Sequence, residues 1–218
     1  MKMFIENGFN VSILNAGYGN KYYSSMPADT NRIDMYPPTE REHIDAFANY
    51  AASLPSILKT QDGKTLNADR LEIWNEPNLY TYWGYVEGSK PDPLQYVYLM
   101  NRAAAKIRKQ NPDIIISGGA LAAGNMNDYT DHKNYLNIMY DLGMLKYVDE
   151  YSFHPYMYPK NPDTGYRSNG VNVGLPNDYV YNLTSRYLAP RKAHGGWIEA
   201  GISEVGWSTF IDAENMNE

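Results

Sequence analysis

Two glutamates in similar sequence surroundings are the residues of this chain best suited to chemistry. Glu76 lies in the segment RLEIWNEPNL at positions 70–79, and Glu204 lies in GISEVGW at positions 201–207. Each follows a short apolar run that predicts a β-strand, and each has a tryptophan nearby. Two carboxyl groups in different surroundings can divide acid–base work, because one keeps its proton while the other stays ionised. The pair therefore predicts a site for acid–base chemistry.

Pro77 determines the geometry that we predict around Glu76. Proline has no backbone N–H and restricts the residue before it to extended geometry. We therefore expect Glu76 to be extended at the end of a strand over 70–76. Glu204 is expected in a last strand over 202–205.

Cleavage of a glycosidic bond is the reaction that such a pair suggests. It requires an acid that protonates the leaving oxygen and a carboxylate at the anomeric carbon. Asn75 supplies an amide suited to a sugar hydroxyl, and Tyr156 could donate to Glu204 and keep it ionised. The chain has 21 tyrosines, and sugar rings stack on aromatic faces, although most tyrosines simply pack at the core margin.

Further polar and aromatic residues gather at or just past the ends of predicted strands. We predict substrate binding for six of them: Asn15, Asn75, Trp83, His154, Tyr156 and Trp207. Trp74 is assigned to packing beside the site. The four histidines show no metal-ligand spacing, so His154 is interpreted as a hydrogen-bonding residue. No metal and no cofactor are predicted.

Other catalytic plans fit the sequence less well. A lone glutamate at a strand end is usually solvated or paired with a cation. Glu72 and Glu199 compete for the same roles, but Glu72 lies deeper along its strand and Glu199 precedes the last strand. Val205 breaks a Gly-x-Ser-x-Gly nucleophile pattern. The glycines of 118–124 do not fit a dinucleotide fingerprint, and no P-loop is present.

Strands and helices alternate along the chain. Strands are predicted at 9–16, 70–76, 114–117, 150–153 and 202–205, and helices at 39–55, 93–111, 132–142 and 178–188. Asp92 and Pro93 are expected to begin the second helix, Gly143 to close the third, and Pro55 to end or kink the first. The first helix has an apolar stripe at Ile44, Phe47, Ala48 and Ala51. This alternation predicts an α/β fold with a parallel sheet and crossover helices. The carboxyl ends of parallel strands form the active face both of a (β/α)8 barrel and of an open doubly wound sheet.

Composition excludes several classes of function. The net charge is −6 and the pI about 5.2, which argues against nucleic acid as a partner. There is no cysteine, so disulfides and thiolate metal sites are excluded. No apolar run approaches the roughly 20 residues that span a bilayer. No signal peptide opens the chain, and we expect any such segment to lie upstream of Met1.

The segments EIWNEPN at 72–78, FHPY at 153–156 and Glu204 resemble clan A glycoside hydrolases, most of all family 39 and its relatives. The resemblance implies a (β/α)8 barrel in which Glu76 is the acid/base and Glu204 the nucleophile. It implies that Tyr156 is the nucleophile's partner. The match counts strands three to seven, so about five β/α units are expected. Residues 1–218 are then one partial catalytic domain of a longer reading frame.

The predicted function is that of a retaining glycosidase acting on an oligo- or polysaccharide, with carbohydrate as the substrate, no nucleic acid partner and an oligomeric state that the sequence leaves open. A catalytically silent carbohydrate-binding relative, or an inactive fragment, is the alternative. An unrelated α/β binding protein is a third hypothesis. The activity class favours an extracellular or periplasmic location.

Overall fold

Five parallel strands form the central sheet of the protein. The structure is a computed structural model, and it describes residues 11–27, 31–32, 35–57, 68–85, 90–122, 132–155, 167–168, 171–172, 191–195 and 198–204. The strands in chain order are β1 (Val11–Ala16), β2 (Ala68–Ile73), β3 (Ile115–Ala122), β4 (Glu150–His154), β5 (Arg167–Ser168), β6 (Val171–Asn172) and β7 (Glu199–Ile202). The large sheet has the order β1-β2-β3-β4-β7, and β5 and β6 form a separate antiparallel pair.

Helices connect successive strands of the large sheet. They are α1 (Arg41–Ile57), α2 (Pro93–Gln110) and α3 (His132–Asp141), with short 3-10 turns at Tyr80–Tyr82 and Met144–Lys146. The helix predicted at 178–188 lies outside the described residues. Neighbours in the sheet follow chain order, whereas a doubly wound sheet reverses its order at a switch point. The strand order therefore favours the barrel over the open sheet.

The core lies between the sheet and the helices. The apolar stripe predicted for α1 is buried, and α2 buries a stripe with the same helical spacing: Tyr96, Val97, Met100, Ala103, Ala104 and Ile107. Leu71 and Ile73 of β2 are fully buried in the same cluster. Burying one such side chain contributes about 1.5–3 kcal/mol. Because side chains alternate along a strand, Arg70 and Glu72 point to the opposite face, which is polar.

The start of α2 has the predicted cap. The carboxylate of Asp92 accepts a hydrogen bond from the N–H of Leu94 at 2.9 Å, and Pro93 occupies the first helical position. The end of α3 is also as predicted, since Gly143 follows it with a φ of 85°. Pro55, which we expected to end or kink α1, lies inside it, and the helix continues to Ile57.

Three strand boundaries differ from prediction at the ends that matter for chemistry. β3, predicted to end at Ser117, continues to Ala122. β2 ends at Ile73, so Glu76 follows the strand instead of closing it. β7 covers Glu199–Ile202 and not 202–205, so Glu204 also lies beyond its strand. The last β4–β7 pair is Phe153 with Ile202, and β4 ends one residue later, before Pro155. Pro155, directly after β4, has no N–H to donate to a strand ladder.

Among the described residues, no helix is long and apolar enough to cross a bilayer.

Candidate functional site

The turn that follows β2 carries Glu76 in an unusual backbone conformation. Trp74 has a φ of 69° and Glu76 a φ of 44°. The prediction of an extended Glu76 is therefore wrong. Non-glycine residues rarely adopt positive φ, and such strain is found mainly where surrounding contacts enforce it.

Backbone contacts from β3 hold this turn. The N–H of Glu76 donates to the carbonyl of Ala120 at 2.9 Å. Asn78, fully buried, donates its amide to the carbonyl of Ala122 at 3.0 Å and accepts from the N–H of Ala122 at 2.9 Å. The Asn78 side chain thereby bonds both backbone groups of Ala122, as a strand neighbour would, beyond the end of β2. These contacts override the local preference of a residue before proline.

An irregularity in β3 presents the Ala120 carbonyl to this turn. The pairing of β3 with β4 shifts register between Gly118 and Leu121. Gly119 has a φ of 113°, and a Cβ there would lie 2.9 Å from the carbonyl oxygen of Ser152. The N–H of Ala120 donates to the hydroxyl of Ser152 at 3.0 Å. A glycine at 119 thus permits the bulge that positions Glu76.

His154 connects the two predicted catalytic carboxylates. It ends β4 and is 1% exposed. Its Nδ1 lies 2.9 Å from Oε1 of Glu76 and 3.8 Å from Oε2 of Glu204. Those two oxygens can therefore be no farther apart than the sum of these distances, about 6.7 Å. Glutamates distant in sequence meet at one histidine.

The two carboxylates have different surroundings. The side chain of Glu76 is 13% exposed and hydrogen-bonded to His154, whereas that of Glu204 is 52% exposed. Such a difference is what divides acid and base roles between paired carboxyl groups. The site thus combines one mostly buried and one half-exposed carboxylate at the same histidine.

Ser203 is a site residue that the sequence reasoning missed. Its hydroxyl lies 3.2 Å from Nε2 of His154, on the side of the ring away from the carboxylates. Its position directly before Glu204 was the available signal, because both residues then reach the site from the end of β7.

Asn15 and Asn75 occupy different environments. Asn15 is exposed, and its amide donates to Oε1 of Glu72 at 3.1 Å and to the carbonyl of Trp74 at 3.2 Å. Glu72 is buried, and its other oxygen lacks a partner among the described residues. Asn75 is 6% exposed, and within the described ranges its amide makes no side-chain hydrogen bond.

Two of the tryptophans, Trp74 and Trp83, are buried. Trp74 is fully buried, as expected for a packing residue. Trp83 is only 6% exposed, with edge-to-face ring contacts to Trp74 and Tyr96. This packing leaves little free ring face, and substrate binding by Trp83 stays a prediction. The remaining predicted site residues, Tyr156 and Trp207, lie outside the described residues.

Polar residues continue below the carboxylates on the same face of the sheet. Nε of Arg70 lies 3.2 Å from Oε2 of Glu150. A cavity of about 320 Å³ is lined by both residues and by Ser152 and Ser203. In the part of the chain that is described, no group of three or more His, Asp or Glu residues could hold a metal ion.

Tyr96 ties the site to the helix layer. Its hydroxyl donates to the carbonyl of Ile73 at 2.8 Å and accepts from the N–H of Gly119 at 2.7 Å. Burial raises the pKa of Tyr96 well above its ordinary value, so the phenol stays protonated and able to donate. Helix α2 thereby fixes the end of β2 against the bulge of β3.

Comparison with solved structures shows the class of fold, a (β/α)8 barrel of which the described residues form a five-stranded part, and the similar structures are glycoside hydrolases. A family 39 glycoside hydrolase from the gut symbiont Bacteroides cellulosilyticus WH2 matches with a TM-score of 0.61 at 23% identity, over 96% of this chain and 38% of that one. BuGH86 in complex with neoagarooctaose matches with a TM-score of 0.58 at 17% identity, over 95% and 33%. A monomeric β-xylosidase from Caulobacter crescentus CB15 matches with a TM-score of 0.51 at 18% identity, over 97% and 40%.

The chain thus spans two fifths or less of the length of these similar structures. No protein-family model matches the chain, and no curated protein matches it either. The resemblance to family 39 and other clan A glycoside hydrolases, expected from the sequence, is confirmed at the level of the fold.

Proposed function

We propose that residues 1–218 belong to the catalytic domain of a retaining glycoside hydrolase that cleaves an oligo- or polysaccharide. The observation that carries the proposal is the convergence of Glu76 and Glu204 on Nδ1 of His154. Retaining enzymes separate their carboxyl groups by about 5–5.5 Å and inverting enzymes by roughly 6.5–9.5 Å. The two facing oxygens are at most about 6.7 Å apart, which is compatible with the separation in a retaining enzyme.

The reaction has two displacements. In the first, a carboxylate oxygen of Glu204 bonds to the anomeric carbon as the glycosidic C–O bond breaks, and Glu76 gives its proton to the leaving oxygen. In the second, Glu76 takes a proton from water, whose oxygen bonds to the anomeric carbon and releases Glu204. The lower exposure of Glu76 and the greater exposure of Glu204 support this division.

The remaining predicted residues complete the proposal. Asn75 offers an amide without a competing side-chain hydrogen bond among the described residues, so it can bind the sugar 2-hydroxyl. Tyr156 orients Glu204, Trp207 stacks on a sugar ring, and Asn15 contributes at the rim. A β-xylosidase and a complex with neoagarooctaose among the similar structures support carbohydrate as the substrate class.

The test begins with a panel of 4-nitrophenyl glycosides. On the best substrate, proton NMR should show that the first released sugar keeps the anomeric configuration of the substrate. Glu204→Gln and Glu76→Gln should each lower kcat by several orders of magnitude. Glu42→Gln, which removes an exposed carboxylate in the first turn of α1, is the matched control and should retain parental activity.

Two results would count against the proposal. First release of the opposite anomer would replace retention with inversion. Sugar binding measured by calorimetry, without turnover of any glycoside, would replace the enzyme with a catalytically silent carbohydrate-binding relative.

A further inference from the structure

The ring of His154 has a partner at each nitrogen, and both partners come from the protein. Nδ1 faces Glu76 and Glu204, and Nε2 faces the hydroxyl of Ser203 at 3.2 Å. The residue is 1% exposed, so these neighbours decide which nitrogen carries the proton.

Charge decides the role of Nδ1. An ionised carboxylate accepts hydrogen bonds and cannot donate them. Nδ1 must therefore carry a proton whenever the carboxylate that it contacts is ionised. In a neutral imidazole Nε2 is then an acceptor, and a hydroxyl can satisfy it by donating.

We propose that Ser203 is a positioning residue whose hydroxyl donates to Nε2 and holds His154 in the Nδ1–H tautomer. Ser203 precedes Glu204 at the end of β7, so one short segment sets both the carboxylate and the histidine proton. An alanine at 203 would remove this donor from the buried Nε2, and the other tautomer would then compete.

The tautomer has a consequence for catalysis, and this part rests on the proposed function. In double displacement the negative charge resides on Glu204 before the first step and on Glu76 in the glycosyl-enzyme. One N–H at Nδ1, between the two, can stabilise each in turn without moving a further proton. Ser203 thus supports both half-reactions through His154.

The first experiment measures the tautomer directly, without substrate. The chain has four histidines, so the His154 ring signals in a ¹⁵N-histidine-labelled protein can be assigned by their loss in His154→Gln. At a pH where the ring is neutral, the parent should show protonated Nδ1 and unprotonated Nε2. Ser203→Thr, which keeps a hydroxyl, should preserve this pattern, whereas Ser203→Ala should shift it toward the Nε2–H form. A protonated Nε2 in the parent, or an identical pattern in the alanine variant, would overturn the proposal.

The second experiment separates positioning from folding on the best aryl glycoside. Ser203→Ala should lower kcat at least about tenfold with little change in KM, and Ser203→Thr should recover most of the loss. An alanine variant with parental kcat would reject the catalytic role. Failure of the proposed function alone would leave the chain inactive with the predicted tautomer pattern intact. The threonine variant and the parent spectrum decide the tautomer even if the alanine variant does not fold.

Discussion

At the scale of single residues, the candidate site depends on a histidine that the sequence placed only in a general role. The segments EIWNEPN and GISEVGW predicted both candidate carboxylates, because residue types and their order can be read directly from a sequence. The contacts of His154 with Glu76, Glu204 and Ser203 could not be predicted. They depend on how two strand ends meet, which spacing along one chain does not encode.

Glu76 also shows where a local rule fails. Pro77 predicts an extended residue before it, yet Glu76 has a φ of 44°. Its hydrogen bond to Ala120, with those of Asn78 to Ala122, comes from a strand more than 40 residues away. Tertiary contacts of this kind are invisible to nearest-neighbour reasoning.

Replacing Asn78 tests how strongly this turn is held. Asn78→Ala leaves the buried N–H and carbonyl of Ala122 without their side-chain partners. We expect the free energy of unfolding to fall by about 2–3 kcal/mol, measured by urea denaturation. Asn49→Ala, at an exposed position of α1, is the control and should change it by less than about 0.5 kcal/mol. Equal effects of the two substitutions would mean that the Asn78 contacts do not stabilise the turn.

At the scale of elements, the helices were predicted more accurately than the strand ends. The cap of α2 and the glycine after α3 are local signals, and both were correct. The ends of β2 and β7 are set by their neighbours. β7 stops where β4 runs out before Pro155, although the apolar pattern continued further.

The bulge in β3 is the element that places Glu76, and Gly119 permits it. Gly119→Ala forces a Cβ at positive φ against the carbonyl of Ser152. We expect a loss of stability of about 1–3 kcal/mol and a lower kcat. At Gly201 of β7 a Cβ would meet nothing closer than 4.0 Å, so Gly201→Ala should be tolerated much better. Denaturation curves of the two variants provide the comparison, and a fully stable Gly119→Ala would contradict this role of the bulge.

At the scale of the whole molecule, the α/β alternation followed from the sequence pattern, whereas the (β/α)8 architecture was implied only by the resemblance of the motifs. Periodicity and turn residues predicted all five strands of the large sheet, although the end of β3 lies five residues beyond its predicted position. The order β1-β2-β3-β4-β7 was not predictable from the pattern alone, because an open sheet uses the same elements. The resemblance of the motif, and then the fold comparison, resolved that choice.

Buried tyrosines predict how the stability of the molecule depends on pH. Burial raises the pKa values of Tyr96, Tyr135 and Tyr151 above their ordinary values. Their stabilising contribution is complete below about pH 10, the value in the unfolded chain, and is lost as pH rises toward the folded values. The free energy of unfolding should therefore fall steadily above about pH 10.

The contribution of Tyr96 to this loss of stability above about pH 10 can be measured separately. Tyr96→Phe should reduce the fall of the unfolding free energy with pH by up to about 1.4 kcal/mol per pH unit. Ile107→Val, a destabilising core change on the same helix without a phenol, should lower the whole curve and keep its slope. Urea denaturation between pH 8 and about pH 11.5 makes the measurement. An unchanged slope in Tyr96→Phe would refute the raised pKa.

Covalent trapping tests directly whether Glu204 is the nucleophile and Glu76 the acid/base. The chain is incubated with an activated 2-deoxy-2-fluoro derivative of the sugar that it hydrolyses best, and the labelled peptide is sequenced by mass spectrometry. We expect a single glycosyl ester on Glu204. A label on Glu76 or another residue, or turnover without any covalent intermediate, would contradict it.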